Sequence, residues 1–164
     1  FKVQPSEIVD RVVALQEELK ASGKALASAE AELAVAKAGA LATKAVAVGG
    51  FQLLVERLDG VDGAGLQGAA QSLADQLGEG AAVVLGGLPD PADLGKVILV
   101  AAFGQQVISA GLQAGKFIGG LAKLCGGGGG GRPNLAQAGG RDGAALDGAL
   151  HHASQDLQST LSST

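Results

Sequence analysis

The chain has 164 residues, 47% of them hydrophobic, with a net charge of −4. That length suits one domain of ordinary size with an appendage, and that apolar content excludes wholesale disorder. The acidic balance argues against a strongly basic nucleic-acid binder, and aromatics at 2%, with no Trp or Tyr, leave only Phe, His or Arg to stack on a base.

Residues 6 to 44 are rich in Ala, Leu, Glu and Lys and contain no proline. Pro5 stands just ahead, where a first helical turn tolerates it. Ile8, Val12, Leu15, Leu19, Ser22, Leu26, Ala29, Leu33, Ala36 and Ala40 recur at alternating spacings of four and three. This is a heptad seam, and it predicts one long helix. At about 1.5 Å per residue such a helix outreaches a small domain, so most of it should project and find a helical partner. Residues 1–48 are therefore expected to form a helical arm that dimerises through Ile8, Val12, Leu15, Leu19, Leu26 and Leu33. Pairing with upstream chain is the alternative. The first residue is Phe, which suggests a piece of a longer chain.

Residues 49–164 read as a globular unit of mixed character. "FQLLVERL" predicts a strand with Phe51, Leu53 and Val55 on one side. Asp62 is placed to cap a helix carrying Leu66, Ala70, Leu73 and Leu77 on one face. "AAVVLGGL" and "KVILVAAF" predict two strands joined by the turn-rich "PDPADLG", the second apolar on both faces as a central strand would be. A helical stripe follows at Ala114, Phe117, Ile118, Leu121 and Cys125, ended by six glycines. "NLAQA" predicts a short edge strand. Asp142 should open a last helix with Leu146, Leu150, Ala153, Leu157 and Leu161 inward. The fold class is α+β: a long N-terminal helix, then a small β-sheet with helices packed on it. The strand hairpin in the middle excludes a purely alternating parallel sheet.

Most chemical motifs fail on inspection. "GAGLQG" matches G-x-G-x-x-G at Gly63, Gly65 and Gly68, between a strand and a helix. "DGVD" intervenes, however, and loses the tight strand-to-helix turn that a dinucleotide requires. "GLQAGKF" is one residue short of a phosphate loop and puts Phe117 where Ser or Thr should hold magnesium. His151 and His152 are adjacent on a helix and diverge by about 100°, so they cannot share one metal. Cys125 is the only cysteine, which excludes an intrachain disulfide and fits a reducing compartment. The longest apolar run is too short to span a membrane, and no signal-peptide pattern is present. No catalytic or metal site is predicted.

Charge distribution is more informative. From Gly95 to Arg141 there is no acidic residue, but there are Lys96, Lys116, Lys123, Arg132 and Arg141. That stretch includes the glycine run, and glycine amides beside cations suit a phosphate backbone. "CGGGGGGRPNLAQAGG" resembles the signature of the C-terminal domain of alanyl-tRNA synthetases, of the DHH-associated class. The likeness extends through "AGKFIGGLAKLC", "AAVVLGG" and "FQLLVERLDGVD" to the helical arm. The six glycines are unbroken here, whereas in that family a charged residue often interrupts them. The resemblance implies a module that binds the tRNA elbow, assists alanylation and editing, and dimerises through its helical part. It implies no active site in this stretch; ATP and zinc would belong to other domains of the parent ligase. It implies the cytoplasm, or an organelle interior if the parent is organellar. Lys116, Lys123, Gly128, Gly129, Gly130, Gly131, Arg132, Asn134, Gln137 and Arg141 are the expected RNA contacts. The alternatives are a structural dimerisation module with little RNA contact, and a nucleotide-binding enzyme.

Overall fold

The computed structural model describes residues 5–163. Helix α1 runs Pro5–Leu41, 37 residues of good helix formers, and ends in a 3-10 turn at Ala42–Lys44. Strand β1, Val46–Val48, and β2, Phe51–Arg57, form a hairpin through Gly49 and Gly50, both at positive φ. Helix α2, Gly63–Leu77, then leads to β3, Ala81–Gly87, and β4, Val97–Phe103. The short α3, Gln105–Ser109, and α4, Ala114–Leu124, precede β5, Gly128–Gly131, and β6, Leu135–Gly140. Helix α5, Leu146–Ser162, closes the fold.

The strands make one six-stranded sheet in the order β1-β2-β3-β4-β6-β5. Only β2 and β3 are parallel, with α2 as the crossover between them. Every residue of β3 and β4 is buried, because helices cover both faces. On one face Leu54, Val83, Leu85 and Val100 pack with Leu66, Ala70 and Leu73 of α2. On the other, Leu53, Val84, Leu99 and Ala101 pack with Ile118 and Leu121 of α4 and Leu146, Leu150 and Leu157 of α5. Phe103 and Phe117 meet with ring centroids 5.7 Å apart and tie β4 to α4. Arg57 joins the loop to α5, donating to Asp59 at 2.9 Å and Asp147 at 2.8 Å.

Helix α1 runs beside α2. Leu41, Ala42 and Ala45 pack on the α2-side core. The seam does not. Ile8, Val12, Leu15, Leu19, Leu26 and Leu33 are 47–75% exposed. Among the described residues, no helix is long and apolar enough to cross a membrane.

Several expectations need correction. The glycine run does more than end α4: Gly128–Gly131 is a strand. "NLAQA" is not an edge strand: β6 lies between β4 and β5, and the glycines form the edge. Asp142 does not open α5, which starts at Leu146 without a side-chain cap. Its carboxylate instead accepts from the Ala144 and Ala145 amides in the turn before the helix. β1 and α3 are additions to the expected elements; three and five residues carry too little periodicity to mark them in the sequence.

Asp62 caps α2 as expected, its Oδ1 accepting from Gly65 N at 2.7 Å. Asp62→Ala leaves that amide without its partner and is expected to cost about 0.5–2 kcal/mol, measured by urea unfolding.

Candidate nucleic-acid interface

Helix α2 covers the middle of its face of the sheet, β4 included, and leaves the β6-β5 end open. An open trough of about 1030 Å³ results. Its floor is Val97 and Ile98 of β4, Gln137–Gly140 of β6, and Gly126–Gly128. Lys96 and Arg141 stand at its rim, with Asp62 and Gly63 at the start of α2 opposite. A second recess of about 490 Å³ continues past Gln137 to Gly130, Gly131, Arg132 and Asn134, bounded by Gln67 and Gln71 of α2.

The β5–β6 turn is pinned from within. Pro133 O accepts from Ala114 N at 2.8 Å, and Asn134 O accepts from Phe103 N at 2.8 Å. These bonds fix the turn against α4 and β4, and leave Arg132 and Asn134 exposed. At the other end, Gly126 takes φ +64° to end α4, and Cys125 O accepts from the Arg141 and Asp142 amides. Arg132 and Arg141 are therefore held at opposite ends of one rigid hairpin.

Within this hairpin the glycines separate into two kinds. A Cβ on Gly129 would lie 2.5 Å from Ala138 Cα, and one on Gly131 would lie 2.7 Å from Ala136 Cα. Both are far inside contact distance, so the fold itself demands glycine there. A Cβ on Gly128 meets nothing within 4 Å, and one on Gly130 meets only the Gly115 carbonyl, at 3.7 Å. Neither takes a positive φ. The fold has no need of glycine at these two positions, yet both line the recesses.

The cations divide as well. Among the described residues Lys96, Lys116, Lys123, Arg132 and Arg141 form no ion pair, whereas Lys44 and Arg57 do. Lys96, Arg132 and Arg141 line the trough and its extension. Lys116 lies elsewhere, in a groove between α4 and α5 with Phe117, His152 and Asp156. Lys123 is exposed in the last turn of α4 and lines neither recess. Of the expected contacts, the structure thus brings together Gly128, Gly130, Gly131, Arg132, Asn134, Gln137 and Arg141. It adds Lys96, whose membership in the acid-free stretch was the available signal, and Asp62 and Gly63 at the rim.

Other candidate chemistry dissolves in the geometry. The Gly63 match opens α2, but five residues separate it from β2, and the Asp62 carboxylate holds the helix N-terminus where a pyrophosphate would sit. His152 pairs with Asp156 at 3.0 Å and His151 with Gln155 at 3.1 Å, each along its own helix. Cys125 is fully buried, and burial pushes its thiol up, with the Asp142 charge adding to the effect. Among the described residues no group of three His, Cys, Asp or Glu side chains converges as a metal site would need. Phe51, Phe103 and Phe117 pack in or against the core, so none offers a ring to a nucleobase.

The fold and site together define an α+β domain with a glycine-floored, cation-rimmed trough at one end of its sheet. The chain belongs to the DHHA1 domain family, which matches residues 50–159. It is similar to alanine–tRNA ligases: 81% identical to that of Synechococcus sp. (strain WH7803) and 83% to that of Parasynechococcus marenigrum (strain WH8102), each over 161 residues. Each match covers 98% of this chain and 18% of the relative, so the chain spans about a fifth of their length. Its fold is similar to the crystal structure of the C-Ala domain from Aquifex aeolicus alanyl-tRNA synthetase. That match has a TM-score of 0.58 and 28% identity, and covers 72% of this chain and 97% of that one.

The split among the glycines is measurable. Gly129→Ala and Gly131→Ala are each expected to destabilise by about 1–3 kcal/mol through overpacking. Gly128→Ala and Gly130→Ala should be neutral or stabilising by up to about 1 kcal/mol, since a less flexible unfolded chain loses less on folding. Denaturant melts of the four variants decide it.

Proposed function

We propose that the trough receives the sugar–phosphate backbone of tRNA at its elbow, as part of an alanine–tRNA ligase whose alanylation and editing it assists. The observation that carries this reading is the pair Gly128 and Gly130. They are glycines the fold does not require, lining a surface whose rim holds three unpaired cations. A backbone without Cβ lets a phosphate approach peptide N–H groups closely, and Lys96, Arg132 and Arg141 supply the charge. Arg132 presents a planar fork suited to one phosphate. Gln137 and Asn134 are placed to bond ribose or a base edge. The resemblance to the ligases selects tRNA as the nucleic acid, and with it the cytoplasm as the location. ATP-dependent joining of alanine to tRNA then belongs to the remainder of such a ligase, beyond the segment matched here. In the same reading, residues 1–48 are the arm and residues 49–164 the RNA-binding unit.

The RNA reading is tested by fluorescence anisotropy with tRNA at several salt concentrations. Three rim cations should give a slope of log affinity against log salt near about −3. Arg132→Ala is expected to cost about 1–3 kcal/mol and flatten that slope by about one unit. Lys116→Ala, outside the trough, should leave both unchanged. The double variant Gly128→Ala/Gly130→Ala should bind tRNA more weakly while folding as well as the parent. Equal binding by the parent and this variant would defeat the role given to the glycine floor.

The exposed seam of α1 supports self-association as a second part of the function. Six large apolar side chains in heptad register, all open to solvent, are an unfinished coiled coil. Light scattering at tens of micromolar should give twice the mass of the chain. Leu19→Lys with Leu26→Lys should return a folded monomer that retains its affinity for tRNA.

A further inference from the structure

Building on the reading that the trough receives the tRNA backbone, we infer that Gln137 bonds a ribose 2′-hydroxyl there and makes the trough selective for RNA over DNA. Gln137 faces the α2 side of β6, as Leu135 does, while Ala136 and Ala138 turn to the opposite core. Its neighbours across the sheet are Gly130 of β5 and Val100 of β4. Among the described residues it is the one polar side chain on the floor of the trough, and it lines both recesses. It is exposed, and no described residue bonds to its carboxamide. The fold draws no hydrogen bond from it, and an apolar side chain would serve the sheet as well. The side chain is nevertheless seated. A Cβ on Gly63, the first residue of α2, would lie 2.6 Å from Gln137 Nε2. Gly63 thus leaves room for the amide to lie against the start of α2, between the two recesses.

Charge selects the part of a nucleic-acid backbone that belongs at this point. The Arg132 amide donates to Leu135 O, which places Arg132 two positions from Gln137, or about 7 Å along the strand. Arg141 stands four positions the other way, about 13 Å off, and Lys96 is at the same end because Val97 pairs with Gly140. Phosphates go to these two ends, and a sugar falls between them. Asp62, next to Gly63, sets a carboxylate beside Gln137, which repels a phosphate and tolerates a neutral sugar. The 2′-hydroxyl is both donor and acceptor, and a carboxamide offers an acceptor and donors in return.

Fluorescence anisotropy on the full chain tests this with two probes: a tRNA, and the same tRNA carrying 2′-deoxyribose throughout the two loops that form its elbow. The parent should bind the deoxy probe about 2- to 10-fold more weakly, the worth of one neutral hydrogen bond. Gln137→Leu should bind both probes alike, at the parent's deoxy level, and its urea midpoint should not fall. Gly63→Ala should also fold, because only the end of a flexible side chain must move, and should lose the discrimination by displacing the amide. A Gln137→Leu variant that keeps the parent's discrimination, whatever its affinity, overturns the inference, as does a parent that binds both probes alike. Discrimination retained by Gly63→Ala overturns the seating. In each of these cases the trough reading still stands if Arg132→Ala weakens tRNA binding. An Arg132→Ala without effect, or a parent that binds neither probe, brings down the trough reading as well.

Discussion

The approach of α4 to β5 is the constraint on which the basic end of the sheet depends. A Cβ on Gly115 would stand 2.5 Å from the Gly131 carbonyl, and one on Gly119 would stand 3.0 Å from that of Gly129. The helix therefore lies almost on the strand backbone. Two elements can pack this closely only if both give up side chains at the contact, and they do, with glycines on α4 and glycines on β5. Ile118 and Leu121 then reach past the thin strand into the main core, beneath Ala136 and Ala138 of β6. A bulkier β5 would lift α4 and loosen the hold of Ala114 N on Pro133 O. The turn that carries Arg132 would lose its anchor.

Because of this packing, one run of glycine answers two demands at once. At Gly129 and Gly131, steric exclusion by the neighbouring β6 leaves no alternative. At Gly128 and Gly130 no such exclusion operates, and an internal explanation is lacking there. Glycine weakens a strand by lost backbone entropy, so two positions that could hold Ala without collision represent a real sacrifice of stability. A surface built for close approach accounts for it. The same economy appears in the charges. The chain is acidic as a whole, but at the trough and its extension Lys96, Arg132 and Arg141 outnumber the one carboxylate, Asp62. Local attraction combined with overall repulsion favours a polyanion that fits over one that merely touches.

Much of the fold was legible in the sequence. The α1 heptads, the alternation of Phe51, Leu53 and Val55, the Asp62 cap and the doubly apolar "KVILVAAF" each reflect a local rule, and each held. What stayed hidden depends on partners distant in sequence. Four glycines have no alternation and the poorest strand propensity, so β5 exists only because β6 and α4 hold it. Placing β6 at the edge followed from the same blindness, since nothing local reveals that a glycine strand lies outside it. Of the trough, the acid-free stretch from Gly95 to Arg141 holds the lining cations and most of the floor. It could not separate Lys116 from Arg132, because which face of the sheet a residue serves is decided by topology. Nor could it bring in Asp62 and Gly63, which reach the trough through the α2 crossover.

On the proposed reading, three cations and a glycine floor form a modest polyanion site, and the length relation explains why modest contacts would suffice. The chain matches 18% of each ligase. A module tethered to a protein that already holds one end of its ligand acts at an effective concentration of about millimolar. Under that condition a weak, shape-dependent contact adds usefully to the whole, and a tight one would slow release. The packing of three phenylalanines points the same way. With Phe51, Phe103 and Phe117 committed to the core, the trough cannot hold loose single-stranded bases by stacking. What remains to it is backbone geometry, and a folded RNA corner presents its phosphates in a fixed arrangement that a rigid hairpin can match.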